Sequence, residues 1–177
     1  MLTISIFNGL VYGTLLIIMS SGLALIYGLR RVVNFAHGAL YMIGAYLGYS
    51  IMVVSNFWVA LVVAPILMFV VGVLLDRYGF RLLQDRSPLN VMLVTFGLLL
   101  ILEDFVVFVW GKGNYSIFTP ELLDFSVSVF GNAVPAYRIA VIIVGAIVAI
   151  GLTLWLRLSK VGLFVRGAST DPVTTAM

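Results

Sequence analysis

The chain has 177 residues, is 63% hydrophobic and 10% charged, and has a mean hydropathy of +1.19. A water-soluble domain carries about 25% charged residues, so neither a hydrated globular surface nor a disordered chain can be made from this composition. The net charge of +3 comes from basic residues scattered singly between apolar runs rather than gathered on a face, and there is no cysteine. A nucleic-acid-binding surface and a disulfide scaffold are therefore excluded, and an integral membrane protein remains.

A spanning helix needs about 20 mostly apolar residues. Residues 4–29 contain no charge and no basic residue precedes Arg30, so the segment reads as a retained span rather than a cleaved signal. A second, short apolar run covers 39–54. A third, 57–75, follows after only Ser55 and Asn56, which predicts a tight helical hairpin. The fourth, 89–110, is interrupted by Glu103 and Asp104, and the fifth, 139–156, is uninterrupted. The expected fold class is all-α: a polytopic α-helical membrane protein of about five spans in a single transmembrane domain over residues 1–177.

Lys and Arg counting sets the orientation. With the N-terminus outside, Arg30, Arg31, Arg77, Arg81, Arg86, Arg157, Lys160 and Arg166 all fall inside, and only Lys112 and Arg138 fall outside. The expected topology is N-out, C-in. The segment 111–137 is then external. Its alternation over 125–130, followed by Gly131 and Asn132 as a turn, predicts a short β-hairpin, with an irregular loop as the alternative.

Gly9 and Gly13 form one G-x-x-x-G and Gly44 and Gly48 another, while Gly22 and Gly28 punctuate the first span. Small residues one turn apart let helices approach closely in lipid, where hydrophobicity supplies no drive for association. Asn34, Phe35, His37 and Gly38 open the short second run, and His37 is the only histidine. No Cys or second His exists to complete a metal site around it, so a packed or interfacial role is the simpler expectation. The segment reads either as a plain cytoplasmic turn or as the start of a broken helix lining a transport path, since irregular backbone at depth must line protein or water.

Glu103 and Asp104 sit beyond the middle of the fourth span. Carboxylates there are either functional or mark a helix that ends early, so that they reach headgroup water; the early end is the simpler expectation. Being adjacent, they point about 100° apart and do not form a paired acid–base site. No phosphate-binding loop and no nucleophile–histidine arrangement is present, so catalysis and cofactors are not expected.

Several stretches resemble the permeases of branched-chain amino acid ABC importers: Ile6-Phe-Asn-Gly-Leu-Val-Tyr-Gly13, Gly22-Leu-Ala-Leu-Ile-Tyr-Gly28, Val33-Asn-Phe-Ala-His-Gly38 and Met42-Ile-Gly-Ala-Tyr46. Thr95-Phe-Gly-Leu-Leu-Leu-Ile-Leu-Glu-Asp104, Val109-Trp-Gly111 and Val134-Pro-Ala-Tyr-Arg138 are similar to the same family in the same order. The resemblance implies a plasma-membrane subunit that pairs with a second permease, two ATP-binding cassette subunits and an external solute-binding protein, and itself binds no ATP. It also implies that a cytoplasmic coupling helix begins near Gly162, Arg166, Asp171, Pro172 and Ala176, with Asp171 and Pro172 suited to a helix start. Gly167 stands where the family pattern has Ala. Members of the family continue well past this point, so the chain is expected to be a fragment or a truncated copy. A urea or short-amide permease of the same family, an ion-coupled secondary transporter using Glu103 and Asp104, and a non-transporting scaffold are the alternatives.

Overall fold

A computed structural model of the chain describes residues 2–83, 86–129, 131–160, 162–163 and 167. Among the described residues there are five helices long and apolar enough to cross a membrane. They are α1 (Leu2–Arg30), α2 (Ala36–Val54), α3 (Phe57–Tyr78), α4 (Pro88–Trp110) and α5 (Ala136–Leu158), with strands β1 (Ser126–Val129) and β2 (Asn132–Pro135) before the last. The predicted all-α polytopic class with its small hairpin is what the chain adopts.

The chain gathers into two compact units, one of Met1–Arg31 with Phe118–Met177 and the other of Val32–Ile117. In the first, α1 packs along α5. The close approach is made at Gly145, which is buried; a Cβ there would run into the Thr14 methyl and lie 3.4 Å from Ile18 Cδ1. Thr14 is fixed in turn because its hydroxyl donates to Leu10 O at 2.7 Å. At one end of this pair, Arg138 Nη1 donates to Asn8 Oδ1. At the other, α1 stops at Arg31, whose φ of 51° is a left-handed cap made without glycine. That conformation costs an L-residue about 1–2 kcal/mol.

The hairpin pairs Val127 with Val134 and Val129 with Asn132. Gly131, at φ 77°, supplies the positive φ the two-residue connection needs. Asn132 is thus the first residue of β2 rather than part of the turn. Alternation buries Val134, 1% exposed, where β2 meets α1 and α5. Beyond Pro135 the pairing continues into α5 through Ala136 N–H to Phe125 O at 2.8 Å.

In the second unit, α2 and α3 form the expected hairpin. Asn56 caps α3 by accepting from Val59 N–H at 3.0 Å, which lets two residues suffice for the reversal. A Cβ on Gly44 would lie 3.3 Å from Met68 Cγ, and one on Gly48 3.8 Å from Ala64 Cβ. This G-x-x-x-G therefore faces α3. Gly9 and Gly13 differ: a Cβ on either would meet nothing within 4 Å, so no helix of this chain packs on them among the described residues. Gly22 and Gly28 lie within α1. α4 is capped by Ser87 Oγ, which accepts from Asn90 N–H, with Pro88 at the first helical position.

Candidate functional site

The second helix starts three residues earlier than its apolar run. Asn34 explains the shift: its Oδ1 accepts from Ala36 N–H at 3.1 Å and its backbone carbonyl accepts from His37 N–H at 3.2 Å. These bonds occupy two of the donors that a helix start leaves open. His37 and Gly38 thus belong to the first turn of α2, a continuous 19-residue helix. The break lies at residues 31–35, before the helix.

The next donor back, Phe35 N–H, goes to the Thr95 hydroxyl at 3.3 Å, and that hydroxyl donates to Met92 O at 3.0 Å. Thr95 is 1% exposed and Ala36 is fully buried. Phe35 and Phe96 meet edge to face with ring centroids 6.2 Å apart. Fifteen residues further along both helices, Trp110 Nε1–H donates to Ser50 Oγ at 2.7 Å, with Tyr46 5.3 Å from the Trp110 ring.

Both cross-links join residues 60 apart in sequence. They fix α2 parallel to α4 and in register. Thr95 is the eighth residue of α4, so α2 starts about 10 Å along the α4 axis. A 23-residue helix is about 34 Å long. The irregular backbone through Asn34 therefore sits roughly a third of the way along α4 rather than level with its end.

Glu103 and Asp104 stay within α4, which does not end early but continues to Trp110, where Gly111 at φ 78° stops it. The helix persists because nothing between 88 and 110 breaks it and Trp110 is anchored on Ser50. Both carboxylates are exposed, and among the described residues neither makes a hydrogen bond or ion pair. They lie well away along α4 from Thr95 and do not join Asn34 and His37 in one site.

Of the residues expected to contact an ATPase, Gly162 is described. It is buried, its N–H donates to Ser159 Oγ at 2.9 Å, and a Cβ would collide with the Leu156 backbone, so only glycine fits there. Arg166, Asp171, Pro172 and Ala176 lie outside the described residues. Thr95 and Ser50 are the site residues that sequence reasoning missed. The repeated 60-residue separation is visible only once the helices are paired.

These helices and the recessed start of α2 define a polytopic α-helical membrane protein. Over residues 5–177 the chain matches the family described as branched-chain amino acid transport system, permease component. It belongs to that family, and is a multi-pass protein of the plasma (inner) membrane.

Its relatives include the high-affinity branched-chain amino acid transport system permease protein LivH of Salmonella typhimurium, 24% identical over 178 residues, and LivH of Escherichia coli K12, 24% identical over 182 residues. BraD of Pseudomonas aeruginosa, with the same description, is 26% identical over 181 residues. Each comparison covers 93% of this chain, and the chain spans 58% of the length of each relative. No solved structure matches the chain.

Proposed function

We propose that the chain is a membrane-spanning part of an ATP-driven importer for branched-chain, or related neutral aliphatic, amino acids. It lines part of the solute path as one permease domain and hydrolyses nothing itself. The reading rests on family membership, on the names of the relatives, and above all on the recessed start of α2. Irregular backbone at that depth is tolerated only against protein or a watery cavity. The N–H groups of Phe35, Ala36 and His37 are already taken by Thr95 and Asn34. With these donors already satisfied, the segment has few left to hold a solute, which suits passage better than tight retention.

The partners in this reading are a second permease subunit, two ATP-binding cassette subunits and an external solute-binding protein. Residues 166–176 are the proposed ATPase contact, with Gly162, close against the Leu156 backbone, shortly before them in sequence. The test is ATP-dependent leucine uptake by the assembled system, with co-purification of the ATPase. Deleting residues 166–176 is expected to abolish both. Retention of the ATPase after that deletion, uptake that survives ATP depletion but not an uncoupler, or a preference for urea over leucine would overturn the proposal.

A further inference from the structure

Between the last turn of α3, the short segment after it and α4 lies an apolar cleft of about 470 Å³, lined by Leu75, Phe80, Leu83, Val94, Gly97 and Ile101 among others. Gly79 makes it possible. There the chain leaves α3 and turns into a 3-10 segment, Phe80–Leu83, and a Cβ at Gly79 would lie 2.8 Å from Leu75 O.

The last turn of α3 carries Arg77, and the connection after it carries Arg81 and Arg86, all exposed. Arg77 lies over the Tyr78 ring, 5.9 Å from its centroid. Arg81 Nε is 3.5 Å from Asp76 Oδ2, yet its side chain remains 65% exposed. A guanidinium has five donors, so one such contact leaves Arg81 able to grip a second anion. An apolar cleft whose lining residues Phe80, Leu82 and Leu83 share one short connection with the exposed Arg81 and Arg86, on the side that charge bias assigns to the cytoplasm, matches a lipid with an anionic head. We propose that this cleft binds an anionic phospholipid of the inner leaflet, its acyl chain along α4 and its phosphate on Arg81 and Arg86.

The test is lipid retention by the full chain in detergent, offered phosphatidylglycerol or phosphatidylcholine with identical acyl chains. Phosphatidylglycerol is expected to be retained at least tenfold more. Each of Arg81→Gln and Arg86→Gln should lower its retention about fivefold, the factor expected from one basic residue at a membrane surface. Gly97→Leu provides an independent arm, because Gly97 lines the cleft and a Cβ there meets nothing within 4 Å. It should reduce retention of both lipids while leaving helicity unchanged.

Equal retention of the two lipids, or no effect of Gly97→Leu, would overturn the proposal. So would competition by glycerol phosphate as effective as that by intact lipid, which would mean a free-anion site. Crosslinked dimers lost on Gly97→Leu would also overturn it, by showing that a second copy fills the cleft.

Discussion

Replacing Thr95 with Val keeps the side-chain shape and removes the hydroxyl that receives Phe35 N–H at 3.3 Å and donates to Met92 O at 3.0 Å. Met92 O also serves as a carbonyl within α4, so the loss on that side is small. Phe35 N–H, next to the fully buried Ala36, is left without its partner. An orphaned donor costs about 1–3 kcal/mol when fully buried; this one is part-buried and its bond is long, which puts the loss in the lower half of that range. A loss of about 1–2 kcal/mol corresponds to a factor of about 5–30 in the local opening equilibrium. Amide hydrogen exchange at Phe35 reads this directly, and Thr95→Val should accelerate it by that factor. Thr95→Ser keeps the hydroxyl and should leave the Phe35 amide protected, even though losing a buried methyl lowers overall stability. Unchanged exchange in Thr95→Val, or equal acceleration in Thr95→Ser, would refute the idea that this hydroxyl holds the start of α2 against α4.

Other consequences follow from the same packing. Trp110→Phe removes the 2.7 Å bond to Ser50 and should cost about 0.5–1.5 kcal/mol in detergent unfolding; Ser50→Ala should cost no more, and the double variant should be less than additive. Gly145→Leu would drive its side chain into Thr14 and Ile18 and should destabilise α1–α5 packing by about 1–3 kcal/mol; Gly9→Leu and Gly13→Leu, on open faces, should leave the isolated chain within about 0.5 kcal/mol of the parent. Val134→Ala, at the buried point of the hairpin, should lower stability by about 1–2 kcal/mol. A Val127→Ala change on the exposed strand opposite should do much less.

The span count, the α2–α3 hairpin and the β-hairpin were legible because each rests on a local signal: long uncharged runs, an Asn cap, and a glycine needing positive φ. The start of α2 was misplaced because Asn34, His37 and Gly38 are polar or flexible by composition, while the bonds that make them helical run to the backbone of the same segment. Glu103 and Asp104 suggested an early end to α4, but the anchor that holds the helix to Trp110 is Ser50, 60 residues away. The same limit hid Thr95, a residue unremarkable in sequence that becomes buried only when α2 lies on α4. Gly9–Gly13 and Gly44–Gly48 have the same spacing, and one faces a helix of this chain while the other does not; spacing carries no information about the partner.

The chain has no cysteine, so single cysteines can be introduced at Asn34 and His37 and probed in the assembled transport system with a membrane-impermeant thiol reagent. Phe69, apolar, 72% exposed and in the middle of α3, serves as the control. A water-lined start of α2 predicts labelling at Asn34 and His37 from the cytoplasmic side, at rates that change with nucleotide and leucine, and none at Phe69. Rates at Asn34 and His37 as low as at Phe69, or indifferent to both ligands, would contradict the account.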